Sequence, residues 1–241
     1  MGREDQLTQV LSRVREARTT FDTARRQAQR DEHGLQVVLA TVLREDSNAI
    51  DVGANVGAVL ESIVRLAPSG RHIAYEPIPE LAEQLATRFP SVDVRRAALS
   101  DVAGTTEFAH VLNAPAYSGL KQRELPPGSG EVRQIQVRTE RLDDVVEDGY
   151  VPTLVKIDVE GAELSVMRGA EQTLRRHRPF VLFEHGVGGA DLYGATPTEV
   201  FDLLDDAGMR IFDMNGDGPY SRERFAETFT KPIWNFLAAP R

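Results

Sequence analysis

Two strand ends carry most of the chemical meaning in this chain of 241 residues. Ala49-Ile50-Asp51-Val52-Gly53-Ala54-Asn55-Val56-Gly57 reads as a strand, a tight turn and the start of a helix, and Tyr75-Glu76-Pro77 follows one helix length later. Gly53 and Gly57 let the backbone turn sharply and let a ligand approach where a Cβ would collide. Glu76, at the end of the second strand, is placed to accept hydrogen bonds from both hydroxyls of a ribose. The pair predicts an adenosine-type cofactor on the first βαβ unit of a nucleotide-binding sheet.

The turn's spacing narrows the choice. A dinucleotide fingerprint needs a bare second glycine so that a pyrophosphate can lie on the helix N-terminus, and here that position is Asn55. An NAD-dependent oxidoreductase is therefore the weaker reading. An acidic residue opening the turn, Asp51, with two glycines four apart, resembles the first motif of class I S-adenosylmethionine-dependent methyltransferases.

The elements that must hold these residues are readable from periodicity. Apolar strand runs alternate with helical stretches from Ala49 to Ala98, which implies a parallel sheet with right-handed crossovers. The pattern resumes with a strand at Leu154 to Asp158, a helix from Glu160 to Arg176, and a strand at Phe180 to Glu184. A helix opened by Thr196-Pro197 comes next, and Arg210 to Asp213 with Asn235 to Ala238 are predicted to close the sheet as an antiparallel pair. Residues 113–134, rich in Pro and Gly, read as a long loop, and loops of that length usually bind something or act as lids. Residues 4–30 carry a stripe of apolar side chains at helical spacing, from Leu7 to Ala28, suited to docking on the body or to a homodimer seam. A second helix is expected from Leu35 to Arg44. Residues 1–45 are thus a helical extension ahead of a single domain, 46–241.

Composition excludes several classes. The formal charge of −9 and the lack of a basic cluster argue against nucleic acid as a partner. Without cysteine there is no disulfide, no thiolate metal site and no thiol catalysis. No apolar run is long enough to span a membrane, and the start lacks a signal segment, so a cytoplasmic location is expected.

Further motifs stand in a telling order: Ala97-Ala98-Leu99-Ser100-Asp101, Thr139-Glu140-Arg141-Leu142-Asp143-Asp144, and Val155-Lys156-Ile157-Asp158-Val159-Glu160-Gly161-Ala162-Glu163, with Glu184 closing the next strand. Together with the glycine turn and Glu76-Pro77 they resemble the FkbM family of S-adenosylmethionine-dependent O-methyltransferases over roughly residues 51–185. The resemblance implies a Rossmann-like α/β fold with a seven-stranded, mostly parallel sheet and an antiparallel last strand. It implies methylation of a hydroxyl, often on a sugar or a polyketide-type product. Carried over, Asp51, Gly53, Asn55 and Gly57 would hold the amino acid end of the cofactor, Glu76 the ribose, and Ala98, Ser100 and Asp101 the adenine edge. Asp158 would sit beside the sulfonium.

By the rule that ligands bind outside the carboxyl ends of strands, Asp158, Glu184 and His185 are expected in one cleft. Two arrangements fit them. His185 is a general base oriented by Asp158 or Glu184, or the three side chains bind a divalent ion such as Mg2+ that polarises the acceptor hydroxyl. The lysine base of metal-dependent catechol-type relatives has no counterpart, because its position is Gly161. Lys156 reads as a buried ion-pair partner, Glu160 and Glu163 as carboxylates favouring a helix N-terminus, and Asp213-Met214-Asn215-Gly216-Asp217-Gly218 as a polar turn whose calcium-loop likeness ends at Arg224. The expected function is methyl transfer to a small polar acceptor, most simply a carbohydrate. The competing reading is a non-catalytic cofactor-binding scaffold that associates through its N-terminal helix.

Overall fold

The computed structural model describes residues 8–9, 24–122, 131–231 and 233–241. Among these the strands are β1 (Asn48–Val52), β2 (His72–Tyr75), β3 (Asp93–Arg95), β4 (Ala98–Leu99), β5 (Gly104–Val111), β6 (Val132–Glu140), β7 (Pro152–Ile157), β8 (Phe180–Glu184), β9 (Met209–Asp213) and β10 (Asn235–Pro240). Seven of them form one sheet in the order β3-β2-β1-β7-β8-β10-β9. Each neighbouring pair is parallel except that β10 runs antiparallel to both β8 and β9. The expected sheet and its antiparallel closing pair are both present.

Side chains alternate between two covered faces. Leu154, Phe180, Leu182 and Leu237 pack under α1 (Ala24–Val42) and α2 (Ala58–Leu66). On the other face, Val155, Val181 and Ala238 meet Leu164, Met167, Leu174, Val200 and Leu204. These come from α5 (Glu163–Gly169), α6 (Glu171–His177) and α7 (Pro197–Asp206), helices that follow α3 (Pro79–Arg88) and α4 (Leu142–Val145) in the chain. The chain's last helix is α8 (Arg222–Thr228). Burial on both faces explains why these strands are near-continuous apolar runs.

Three expectations change. The helix predicted over 160–176 is two helices, because the backbone leaves helical geometry at Ala170, which ends α5 and begins α6. The helix expected from Leu35 is the second half of α1, and its Val38, Leu39 and Val42 are buried in the body of the domain. Third, β4, β6 and β5 form a separate three-stranded sheet, in that order, which pattern reading did not find. Much of the expected 113–134 loop is the connection between β5 and β6, and its first part is ordered by a 3-10 turn at Pro115–Tyr117 and a bridge between Ala109 and Gly119. Most of the 4–30 stripe and residues 123–130 lie outside the described residues.

At α7 the sequence signal holds in detail. Thr196 Oγ1 accepts from the Glu199 N–H at 3.3 Å while Glu199 Oε2 accepts from the Thr196 N–H at 3.1 Å, a reciprocal cap. The calcium-loop mimic is a polar turn as read, with Asp213 Oδ1 accepting from the N–H groups of Asn215 and Asp217 and Oδ2 from the Tyr220 hydroxyl. No described helix is long and apolar enough to cross a membrane.

Candidate active site

Strand order reverses between β1 and β7, and the turns leaving both strands meet there. Gly53, Asn55 and Gly57 have φ of 77°, 49° and 80°, so the turn after β1 is left-handed at three places. A Cβ on Gly53 would stand 1.9 Å from the Asp158 carbonyl oxygen, so only glycine lets the two turns touch. The Gly53 and Ala54 N–H groups both donate to the Tyr75 carbonyl at 3.0 Å, which fixes the turn against the end of β2. Glu76 completes it: Oε2 accepts from the Asn55 N–H at 2.8 Å and Oε1 from the Ile78 N–H at 2.9 Å. Burial pushes the Glu76 carboxyl above its ordinary pKa, opposed by those two N–H bonds and by the charge of Lys156. A carboxylate has about four acceptor sites, so two such bonds leave it able to take more.

Below the turn lies Lys156. Its Nζ donates to the Gly53 carbonyl at 2.7 Å and stands 3.2 Å from Asp51 Oδ1 and 3.4 Å from Asp158 Oδ2. Burial alone would lower the pKa of this ammonium, but the charges of Asp51 and Asp158 outweigh it and the net shift is upward. Asp51 is 1% exposed, and its carboxyl is raised by burial and drawn back down by Lys156. The ion-pair distance to Asp51 comes without well-aligned hydrogen-bond geometry. Lys156 is thus a charged tie between the β1 and β7 turns, as its sequence position suggested.

The turn and the strand-end carboxylates Glu76 and Asp158 border a cleft of about 690 Å³, counted out to its open mouth. Gly53, Asn55, Glu76, Ala98 and Asp158 line it. Among the described residues, Asp51 and Gly57 do not: Asp51 sits behind the turn with Lys156, and Gly57 makes room for Leu85 and Phe89, whose side chains a Cβ would meet at 2.6 and 2.8 Å. Ser100 and Asp101 also stand apart from the lining. The Ser100 N–H donates to the Glu140 carbonyl, Ser100 O lies against Gly169, where a Cβ would be 2.0 Å away, and Arg141 holds the Asp101 carbonyl at 2.6 Å. That turn faces α5, and Ala97 and Leu99 border the cleft beside Ala98 instead. Sequence reasoning missed Phe108, Pro115, Ala116, Ser118 and Leu120, which wall the cleft from β5 and the segment after it. The Pro/Gly-rich segment was the one available signal.

Two further cavities adjoin. Asp158 is shared between the cleft and a cavity near α1, Glu160 between the cleft and a cavity beside β8, and Glu184 lines both of these neighbours. His185 lines only the cavity beside β8. It is 3% exposed, stacks on Phe225 at 5.8 Å and leans on Phe229 at 5.0 Å. Burial holds its pKa down at about 4, so the imidazole is neutral near pH 7 and has little affinity for a proton. Such surroundings do not favour a general base poised near neutrality. The metal arrangement is also not formed: Asp158 is paired with Lys156 and His185 is enclosed by phenyl rings. Among the described residues no group of three or more His, Asp or Glu side chains could hold a metal ion.

The turn from β7 into α5 carries its own strain. Glu160 has φ of 60° and Gly161 of 109°, and a Cβ on Gly161 would lie 2.3 Å from the Gly189 carbonyl oxygen. Glu163, 1% exposed, folds back so that Oε1 accepts from the Val159 and Gly161 N–H groups, both at 3.1 Å. Its carboxyl is raised to about 7 by burial. Glu163 therefore braces the preceding turn, and Glu160 lies ahead of the helix in a left-handed backbone conformation that is uncommon for a non-glycine residue.

A parallel sheet whose last strand is reversed, with a cleft at the switch point bordered by a glycine turn and a strand-end carboxylate, defines a Rossmann-like domain of the class I methyltransferase type. The family model for the methyltransferase FkbM domain matches residues 51–211, and the chain belongs to that family of methyltransferases. It is 28% identical over 190 residues to a protein of Sinorhizobium fredii named 2-O-methyltransferase NoeI, covering 69% of this chain and 74% of that one. It is also 28% identical over 199 residues to the hexuronic acid methyltransferase AglP of Haloferax volcanii, covering 78% and 76%. The crystal structure of methyltransferase FkbM from Methylobacillus flagellatus superposes with a TM-score of 0.49 at 14% identity, over 89% of this chain and 59% of that chain. That likeness is too distant to add to the assignment.

Proposed function

We propose that this chain transfers the methyl group of S-adenosylmethionine to a hydroxyl of a small polar acceptor, a sugar or saccharide. The observation that carries the reading is the cleft at the β1/β7 switch point, where Glu76 is fixed by two backbone N–H bonds and retains acceptor capacity for ribose hydroxyls. The Gly53–Asn55 turn would hold the amino acid end and the apolar Ala97–Leu99 stretch the adenine. Family membership and relatives named for 2-O- and hexuronic acid methylation support oxygen and sugar as the target. When bound, S-adenosylmethionine supplies an electrophilic methyl group, so the chain's own tasks are to bind, align and accept one proton.

Asp158 is our candidate for that proton. Its side chain is 40% exposed, borders both the cofactor cleft and a neighbouring cavity, and is held by Lys156 at 3.4 Å. The acceptor hydroxyl would lose its proton to an Asp158 carboxylate oxygen as the new O–CH3 bond forms. His185 is left the role of a neutral polar group on the cavity wall. The donors do not fit a magnesium site, and no step here uses one.

The test is methyl transfer from labelled S-adenosylmethionine to a sugar panel by wild-type and Asp158→Asn protein, with S-adenosylhomocysteine affinity measured for both. Loss of turnover by about 100-fold or more, with affinity kept within a few fold, is expected for a group acting in proton transfer. Equal turnover in the variant would remove Asp158 from the mechanism.

A further inference from the structure

Resting on the sugar-acceptor reading, the structure assigns a second recognition element on the acceptor side of the site. Large exposed apolar side chains are few among the described residues: Val56, Val102, Tyr117, Val151, Val187 and Trp234. Three of these six, Tyr117, Val187 and Trp234, line the cavity beside β8. That cavity is the one that meets the cofactor cleft at Glu160. An apolar grouping at a cavity mouth is a recurrent mark of a ligand surface, whereas scattered exposed apolar residues are not.

Trp234, the only tryptophan in the chain, is 43% exposed and borders this cavity and the one near α1. Its position is built. The His185 N–H donates to the Trp234 carbonyl at 2.8 Å, and the next residue, Asn235, is paired with Glu184 across β8 and β10. The indole edge lies against Gly186, where a Cβ would stand 2.3 Å from Cδ1 and 2.9 Å from Nε1. Glycine at 186 thus lets the indole edge pack against the backbone while much of the ring stays open. Beside it on the cavity wall are Glu184 and His185, and His185 Nε2 is a buried atom with no hydrogen-bond partner. A buried polar atom without a partner is uncommon and costs stability unless something satisfies it.

An apolar platform next to a carboxylate matches the apolar face and the polar edge of a pyranose. One face of such a ring is lined by C–H groups, and its edge carries hydroxyls. We propose that Trp234 is the specificity-determining platform for the acceptor: the C–H face of a pyranose ring lies on the indole, and its hydroxyls reach Glu184 on the same cavity wall. Orientation by the platform sets which hydroxyl is presented toward the cofactor cleft past Glu160. An acyclic polyol has the same hydroxyls without the flat face and is not retained.

The single tryptophan makes the test direct. Full-length protein saturated with S-adenosylhomocysteine is titrated with methyl β-D-glucopyranoside, methyl β-D-galactopyranoside and methyl α-L-fucopyranoside, with sorbitol as the acyclic control, and tryptophan emission is followed. A saturable change with at least one pyranoside and none with sorbitol is expected. By titration calorimetry, Trp234→Ala should weaken that pyranoside about tenfold, with Trp234→Phe restoring part of the loss and S-adenosylhomocysteine affinity unchanged in both. With an accepted sugar, the KM should rise in Trp234→Ala more than kcat falls. Overturning results are unchanged emission with every pyranoside while S-adenosylhomocysteine binds, equal response to sorbitol, or wild-type pyranoside affinity in Trp234→Ala. Failure of S-adenosylhomocysteine itself to bind would instead bring down the cofactor reading on which the platform rests.

Discussion

Lys156 connects the chemistry of this site to its stability. One buried ammonium holds Asp51, Asp158 and the Gly53 carbonyl together, so removing it leaves the Asp51 carboxyl buried without its ionic partner. Lys156→Met should destabilise the fold by about 3–5 kcal/mol, the usual consequence of breaking a buried pair from one side, and chemical denaturation would measure it. Glu163 gives a pH signature. Its carboxyl is raised from 4.5 to about 7 by burial, so its ionisation opposes folding. Its contribution to stability is complete below pH 4.5 and is lost as pH rises through about 7, on the order of 3 kcal/mol in all. Glu163→Gln should flatten that part of the stability curve; an unchanged slope would mean the carboxyl is not the source. His185, held down at about 4, should contribute no limb near pH 6.5 to the pH–rate profile, and a limb there that His185→Phe abolishes would restore it as the base.

The turns and the small sheet decide how the cleft is closed. Gly53→Ala combines a left-handed φ with a Cβ 1.9 Å from the Asp158 carbonyl oxygen, so the β1 and β7 turns must separate. A loss of about 3 kcal/mol or more and of cofactor binding is expected by thermal unfolding and titration. The segment from Pro115 to Leu120 contributes to the cleft wall, and we propose that it closes over bound cofactor and acceptor. Protease cleavage within 113–122 should slow when both are bound, and an unchanged rate would argue that this wall is static. The large sheet could be read from sequence because its strands are buried on both faces and so are continuous apolar runs. The small sheet could not: β5 and β6 are largely exposed or half-buried, β4 has two residues, and the β5–β6 pairing spans a twenty-residue connection. The glycine turn was legible because its left-handed backbone demands glycine, and Glu76 because it ends a strand, whereas Ala98 and Asp158 came from the family resemblance; Glu76, Ala98 and Asp158 border the cleft. Ser100 and Asp101 stand apart from the cleft lining, and a motif's order does not tell which way a turn faces; burial around His185 is a property of Phe225 and Phe229, forty or more residues away in sequence.

At the scale of the described residues, the second half of α1 is part of the core. Val38, Leu39, Val42 and Leu43 are each at most 4% exposed, worth roughly 1.5–3 kcal/mol apiece. A chain begun at residue 45 should lose cooperative unfolding, which a circular dichroism melt would show. Titration calorimetry with S-adenosylhomocysteine, with NADH as control, tests the proposed cofactor cleft most directly. We predict saturable one-to-one binding of S-adenosylhomocysteine, weakened about tenfold or more in Glu76→Ala, and none of NADH. Absence of binding, or affinity untouched by Glu76→Ala, would contradict the assignment of this cleft.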